Sequence, residues 1–217
     1  MINFDLFAMI SLKHPFTCLV AGPTGSGKTV LVRRILKENR KLISNLESRS
    51  PRVLWCYGIS QELYHHKIPG CTIEYNEGIS EEIILEKRPD ILIIDDLMQE
   101  KSSDSSLANI FTRGSHHLGM SVIFIVQNIF AKGSQMRTIS LNAKYILLLK
   151  NPRDKSQIYS LGRQLFPHKS TFFTESYEDA TKQPHGYLLI DLSQDCDDQY
   201  RVRSNIFDKY PTIYIPK

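Results

Sequence analysis

The amino-acid sequence predicts an α/β fold, with a central, mainly parallel β-sheet and helices on both of its faces. Short apolar runs without alternation, such as DILIIDD at residues 90–96 and SVIFIVQ at residues 121–127, are typical of parallel strands that are covered on both faces. These runs alternate along the chain with segments of helical periodicity, and that alternation implies right-handed crossover connections.

The predicted elements follow in chain order. Strands are expected at residues 16–22, 52–57, 72–75, 90–96, 121–127, 145–150 and 187–192, with further β-like pieces at residues 200–215. Helices are expected at residues 28–42, 80–87, 104–118 and 154–165, where apolar residues recur at helical spacing. No linker divides the chain, so we expect a single domain over residues 1–217, in which residues from about 171 to 217 form a family-specific, β-containing extension.

Composition and charge exclude several classes of protein. The formal net charge of +4 is mildly basic, which permits a nucleic-acid partner without demanding one. The four cysteines form no C-x-x-C pair, so the pattern is that of a reducing compartment without a disulfide framework or zinc ribbon. Asp5 and Lys13 interrupt the N-terminal apolar stretch, and no apolar run is long enough to cross a bilayer. We therefore expect neither secretion nor a membrane span.

The strongest motif is GPTGSGKT at residues 22–29, which matches the pattern G-x-x-x-x-G-K-[ST] and lies between a predicted strand and a predicted helix. Gly25 and Gly27 let the backbone curl so that successive N–H groups face one anion. Lys28 would reach the β- and γ-phosphates, and Thr29 would offer its hydroxyl to Mg²⁺. The motif predicts a P-loop NTPase that binds a nucleotide, which we expect to be ATP, through Gly22, Pro23, Thr24, Gly25, Ser26, Gly27, Lys28, Thr29 and Val30. We expect the sheet to be of the RecA-like, additional-strand type.

Two carboxylates end the apolar run at residues 90–96. Asp95 lies where a strand tip beside the P-loop would hold Mg²⁺, and Asp96 follows as a candidate general base for the attacking water. Aspartate is also common in surface turns, which is the alternative interpretation of this pair. Given the P-loop, we favour a Walker B site, with Thr29 and Asp95 as the metal-binding residues.

Three further features are candidates for the same site. Gln127 ends the strand predicted at residues 121–127 and could contact the γ-phosphate or the lytic water; a solvent-facing amide is the alternative. Arg137 and Arg113 are candidate arginine fingers, which stabilise charge on the phosphoryl group and often come from a neighbouring subunit; a surface role is equally compatible with either arginine. Lys132 and Gly133 could form a DNA-contacting loop, although an ordinary solvated loop also fits.

Four blocks of sequence, in this order, resemble the FtsK–HerA superfamily: HPFTCLVAGPTGSGKT, LIIDD, FTRGSHHLGMSVIFIVQN and MRTISLNAKYILLLKNPRD. Within that superfamily the chain is similar to viral genome-packaging ATPases, in particular the Maverick/Polinton and adintovirus-like group, which is related to the poxvirus packaging ATPase. The tail from GYLLIDLSQDC to IYIPK is similar to the same group.

The resemblance implies a DNA-translocating ATPase that forms a ring, expected to be hexameric, around double-stranded DNA. It implies ATP and Mg²⁺ as cofactors, and a viral capsid or portal-like component as partner. The chain would act in the interior of the host cell, at the assembling virion. By position, Lys28 and Thr29 correspond to the Walker A residues, Asp95 and Asp96 to the Walker B pair, and Gln127 to the sensor.

Two other functions remain open on sequence alone. The first is a nucleotide-dependent switch or assembly ATPase without translocation, which measured turnover would separate from a motor. The second is a small-molecule kinase. A kinase would need a lid with clustered arginines, which the sequence lacks, and the second carboxylate at Asp96 favours water activation instead.

Overall fold

The computed structural model of the chain describes residues 10–97, 110–111, 118–130 and 134–216. Its strands are β1 (Leu12–Lys13), β2 (Thr17–Ala21), β3 (Ile43–Ser44), β4 (Arg52–Tyr57), β5 (Thr72–Glu77), β6 (Ile91–Asp95), β7 (Ser121–Val126), β8 (Tyr145–Leu149), β9 (Tyr187–Asp191), β10 (Val202–Ser204) and β11 (Thr212–Tyr214). Its helices are α1 (Lys28–Lys37), α2 (Asn39–Leu42), α3 (Glu81–Lys87), α4 (Ser134–Asn142), α5 (Ser156–Leu165) and α6 (Ser170–Ala180).

Within the described residues, nine of the strands form one sheet in the order β5-β4-β6-β7-β2-β8-β9-β10-β11. The pairs from β5 to β8 are all parallel. The remaining pairs, β8–β9, β9–β10 and β10–β11, are antiparallel. The predicted α/β fold with a mainly parallel sheet is therefore confirmed, and the C-terminal strands continue the same sheet as an antiparallel edge.

The sheet is covered on both faces, as the continuous apolar strands predict. Along β2, Leu19 and Ala21 belong to one buried apolar cluster, whereas Cys18 and Val20 belong to the other, because successive side chains of a strand point to opposite faces. Helix α1 packs on the face that carries Cys18 and Val20. Helices α3, α4, α5 and α6 contribute to the core of the opposite face. Among the described residues, no helix combines the length and apolar character needed to cross a bilayer.

The helix predicted at residues 28–42 is interrupted. Helix α1 ends at Lys37 with Glu38 as its C-cap, and the short helix α2 follows. Asn39 is buried, and its side-chain amide donates hydrogen bonds to the carbonyl oxygens of Leu36 (2.7 Å) and Gly70 (3.2 Å), which turns the chain out of α1. Ile43, which the helical pattern includes, instead lies in β3 and pairs with Leu12 of β1.

Several elements were not predicted: helices α4 and α6, the two-residue strands β1 and β3, and 3₁₀ segments at Glu62–His65 and Asp198–Tyr200. Ser80 caps α3, because its side chain accepts a hydrogen bond from the backbone N–H of Ile83 at 3.3 Å. The helix predicted at residues 104–118 lies mostly outside the described residues.

Candidate functional site

The P-loop and the two carboxylates meet at one edge of the sheet, because the carboxyl ends of parallel strands share that edge. Strand β7 lies between β2 and β6. Strand β6, which ends at Asp95, is therefore the second strand from β2 and not its direct neighbour. This corrects the expectation that the strand of Asp95 lies directly beside the P-loop strand. An inserted strand between the two motifs is the additional-strand arrangement that the sequence predicts.

A cleft of about 410 Å³ opens at this edge. Its lining includes Gln127 from the tip of β7 and His185 from the loop before β9. The predicted binding and catalytic residues that line the cleft are Thr24, Gly25, Gly27, Lys28, Thr29, Val30, Asp95, Asp96 and Gln127.

The backbone of the P-loop depends on its glycines. Gly25 and Gly27 have φ angles of +79° and +99°, in a region that L-residues with a Cβ rarely adopt. Gly22 is required for a different reason, because a Cβ there would lie 2.7 Å from the Ser26 Oγ and 2.9 Å from the Leu149 Cβ. The loop runs directly into α1, whose N-cap is Gly27 and has no capping side chain.

Lys28 lies over this loop. Its Nζ donates hydrogen bonds to the carbonyl oxygens of Gly22 (2.7 Å) and Pro23 (3.0 Å). Partial burial lowers the pKa of Lys28, and the negative charges of Asp95 and Asp96 oppose that shift. The ammonium group is thus held between the loop and the two carboxylates, where a phosphate would join it.

Asp95 is buried at the tip of β6, with 4% of its surface exposed. Its Oδ2 accepts a hydrogen bond from the Tyr64 hydroxyl at 2.9 Å, and the Thr29 Oγ1 lies 3.5 Å from the same oxygen. Burial raises the pKa of Asp95, whereas the hydrogen bond from Tyr64 acts in the opposite direction. The Thr29 hydroxyl and the Asp95 carboxylate are therefore adjacent, as the predicted metal site requires.

Asp96 and Gln127 lie together beyond Asp95. Asp96 has a φ angle of +56°, a conformation that aspartate tolerates better than most residues. The Gln127 Nε2 lies 3.5 Å from the Asp96 Oδ2, which is the outer limit for a hydrogen bond. Both side chains line the cleft, so a carboxylate and an amide are available on the same side of it.

The residues present fit a magnesium-bound nucleotide. The first N–H groups of α1 have no partner within the helix and favour an anion. The Ser26 hydroxyl is buried without a hydrogen-bond partner in the described structure. No group of three or more His, Cys, Asp or Glu side chains forms a metal cage in the part of the chain described. One carboxylate and one hydroxyl suit Mg²⁺, which keeps several waters and uses phosphate oxygens as further ligands.

The arginine candidates are placed differently. Arg137 is exposed on α4 and is not among the residues that line the cleft. Arg113, Lys132 and Gly133 lie outside the described residues. Within one copy of the chain, the described part of the cleft therefore takes its positive charge from Lys28.

Four residues that line the cleft or contact its residues were missed by sequence reasoning. Gln61 and Leu63 line the cleft from the segment after β4, and Tyr64 donates to Asp95. His185 contacts the P-loop, because its Nδ1 lies 3.0 Å from the Ser26 carbonyl oxygen. These residues lie in a short 3₁₀ segment and in connecting loops without a recognisable spacing, so a motif search has nothing to detect.

The mainly parallel sheet, the strand inserted between the two motifs and the P-loop together show that the chain has the P-loop NTPase fold. No protein-family model matches the sequence, and no curated protein matches it. Solved structures do match. The chain is similar to the genome packaging NTPase B204 from Sulfolobus turreted icosahedral virus 2 in complex with sulfate. That match has a TM-score of 0.55 and 11% identity, over 94% of this chain and 97% of B204.

Two further structures of B204 give the same result. The complex with ATP-gammaS matches with a TM-score of 0.52 and 12% identity, over 93% of this chain and 97% of B204. The complex with AMPPCP matches with a TM-score of 0.51 and 11% identity, over 94% and 98%. At these identities the likeness establishes the fold, and it extends over almost the full length of both chains.

Proposed function

We propose that this chain is a Mg²⁺-dependent ATPase that drives a double-stranded DNA genome into a viral capsid. The observation that carries the proposal is the convergence of Lys28, Thr29, Asp95, Asp96 and Gln127 on one cleft. This cleft lies in a fold shared along almost its whole length with a viral genome packaging NTPase. The resemblance of four sequence blocks to packaging ATPases of the FtsK–HerA superfamily supports the same function.

Each side chain has a role in the proposed hydrolysis. Lys28 and the N–H groups of α1 bind the phosphates. Thr29 and Asp95 would hold Mg²⁺, which would supply positive charge to the β- and γ-phosphates. Asp96 accepts a proton from the attacking water, and Gln127 beside it orients that water. Hydrolysis is favoured over transfer to a small molecule because a second carboxylate, Asp96, and the amide of Gln127 line the cleft and can activate a water.

Translocation requires more than one copy of the chain. Lys28 is the one lysine or arginine that lines the described part of the cleft. An arginine from a neighbouring copy would add the second positive charge, and Arg113 and Arg137 are the candidates. The assembly is then a ring, of six copies by family resemblance, with DNA in its channel. Its other partner is a capsid or portal-like component inside the host cell.

The test is an ATPase assay with and without double-stranded DNA, together with a mass measurement of the assembled species. We expect a ring-sized complex and turnover that rises with DNA. Increasing salt should weaken the stimulation, because phosphate contacts release counterions. A stable monomer whose ATP turnover does not change with DNA would overturn the motor function and favour a switch or assembly ATPase. Phosphate transfer to a small molecule would instead favour a kinase.

A further inference from the structure

We infer that Tyr64 is a positioning residue that holds the Asp95 carboxylate in the orientation needed to bind Mg²⁺ with the nucleotide. The inference rests on the proposed ATPase function and adds a residue that no motif contains. Tyr64 lies in the 3₁₀ segment Glu62–His65, between β4 and β5.

The first observation is the shared oxygen atom. The Tyr64 hydroxyl and the Thr29 Oγ1 both approach the Oδ2 of Asp95, at 2.9 Å and 3.5 Å. A carboxylate rotates about a soft terminal torsion, and a second hydroxyl on the same oxygen restricts that rotation. Metal-binding carboxylates are commonly oriented by such outer partners, and loss of these partners weakens metal binding.

The second observation is that Tyr64 itself is held firmly. Its ring stacks on Tyr75 at a centroid distance of 5.1 Å and packs against Tyr57 at 5.0 Å and Trp55 at 5.5 Å. An aromatic ring fixed on several sides presents its hydroxyl with little freedom. The hydrogen bond to Asp95 is therefore preorganised rather than dependent on a mobile surface side chain.

The third observation is a link to the P-loop helix. Arg33 lies one turn after Thr29 in α1, and its Nη1 donates to the Tyr75 hydroxyl at 3.0 Å. Its Nη2 donates to the carbonyl oxygen of His66 at 2.5 Å. The segment that carries Tyr64 is thus fastened to the helix that carries Thr29, so the two groups that approach Asp95 belong to one connected unit.

The fourth observation concerns Trp55, which is fully buried beneath Tyr64. Its indole N–H makes no hydrogen bond to any described residue, yet it lies close enough to Asp95 to help lower the pKa of that carboxyl group. The carboxylate is therefore flanked by the indole N–H and the Tyr64 hydroxyl, the second of which is hydrogen-bonded. Since Trp55 is the single tryptophan of the chain, its fluorescence reports on this site alone.

The test compares Tyr64→Phe, which keeps the ring and removes the hydroxyl, with Tyr57→Phe, which makes the same change on a neighbouring ring of the cluster. Mg²⁺ is titrated into each protein in the presence of saturating AMPPCP, and Trp55 fluorescence is followed. We expect the Mg²⁺ midpoint of Tyr64→Phe to rise by roughly tenfold. Tyr57→Phe should match the parent protein.

Two further measurements separate positioning from folding. Affinity for AMPPCP in EDTA should be unchanged in Tyr64→Phe, since it does not depend on bound Mg²⁺. Melting in EDTA should stay cooperative, with only the loss of stability that one missing hydrogen bond to Asp95 explains. An unchanged Mg²⁺ midpoint, or equal shifts in Tyr64→Phe and Tyr57→Phe, would overturn the inference. Failure of the parent protein to bind AMPPCP with Mg²⁺ would instead overturn the proposed ATPase function, so the two failures are distinguishable.

Discussion

The Nδ1 atom of His185 lies 3.0 Å from the carbonyl oxygen of Ser26, although the two residues are 159 positions apart in the sequence. Because a carbonyl oxygen only accepts hydrogen bonds, Nδ1 carries the proton in this contact. His185 has a φ angle of +60° and lies in the loop that leads from α6 into β9. The antiparallel part of the sheet therefore supports the P-loop directly, on the side opposite to Asp95 and Gln127.

The first prediction follows from this contact. His185→Ala removes the donor to Ser26, so the P-loop loses one hydrogen bond that is worth about 1 kcal/mol. We expect ATP affinity to fall by roughly fivefold, measured by calorimetric titration. His185→Gln, which can still donate, should restore part of the affinity. His168→Ala, at an exposed histidine after α5, is the control, and an equal loss there would argue against a specific contact.

The second prediction separates binding from hydrolysis. Lys28→Ala removes the ammonium group that lies over the P-loop and should abolish nucleotide binding. Asp96→Asn keeps the shape of the side chain but removes its ability to accept a proton, so it should bind ATP and lose turnover by roughly a hundredfold or more. Equilibrium binding and steady-state hydrolysis are measured for both variants. Normal hydrolysis by Asp96→Asn would show that another group activates the water.

The third prediction concerns two glycines with similar positive φ angles, which would strain any residue that carries a Cβ. Gly25 and Gly78 have φ angles of +79° and +73°, and an added Cβ would meet nothing within 4 Å at either position. Alanine at either position should therefore cost a similar free energy of unfolding, about 1–2 kcal/mol. Only Gly25→Ala should also weaken nucleotide binding. Equal nucleotide affinity in the two variants would mean that the curl at Gly25 is not needed to bind phosphate.

The motifs of the site could be predicted from sequence because their residues are close together along the chain. Gly25, Gly27 and Lys28 belong to one loop, and Asp95 follows an unbroken apolar strand, so spacing alone identifies their roles. Tyr64 and His185 could not be found in this way, since their contacts with Asp95 and Ser26 span 31 and 159 positions. Such contacts depend on tertiary packing.

The difference between local patterns and tertiary contacts also explains which secondary-structure elements were predicted wrongly. The buried parallel strands were predicted well because their apolar runs are long enough to be unambiguous. The break after α1 was missed because apolar residues continue at helical spacing to Ile43, whereas the buried side chain of Asn39 decides where the chain turns. Strands β1 and β3 contain two residues each and carry no detectable period.

The fourth prediction tests the antiparallel part of the sheet. Arg203 on β10 is fully buried, and its Nη2 lies 2.6 Å from the Oδ2 of Asp191 at the end of β9. Removing one partner leaves the other charge buried, so Arg203→Met should cost about 3–5 kcal/mol of unfolding free energy. Denaturant unfolding measures this loss.

A double variant, Arg203→Met with Asp191→Leu, should recover much of the lost stability, because apolar side chains can replace a buried ion pair. Lys155→Met, which breaks the exposed pair with Glu178, is the matched control and should leave stability nearly unchanged. A small effect of Arg203→Met would mean that Asp191 finds another partner or water.

The last prediction concerns the cost of keeping Asp95 charged. Burial is the largest influence on this carboxyl group and raises its pKa above the ordinary value. A carboxyl group whose pKa is higher in the folded chain contributes stability when protonated, and that contribution is lost as pH rises through the folded-state pKa. At neutral pH, the ionised Asp95 therefore opposes folding. Asp95→Asn removes the charge and keeps an oxygen for the Tyr64 hydroxyl.

Without nucleotide and in EDTA at pH 7.5, Asp95→Asn should therefore melt above the parent protein, by roughly 2–4 °C for each 1 kcal/mol recovered. Adding Mg²⁺ and AMPPCP should reverse the order, because ligand binding stabilises the parent protein, whereas the variant has lost the carboxylate that holds the metal. A lower melting temperature for Asp95→Asn in EDTA would contradict this account, since it would mean that the ionised carboxylate stabilises the fold. A higher one would mean that the chain gives up stability at Asp95 for the sake of the metal site.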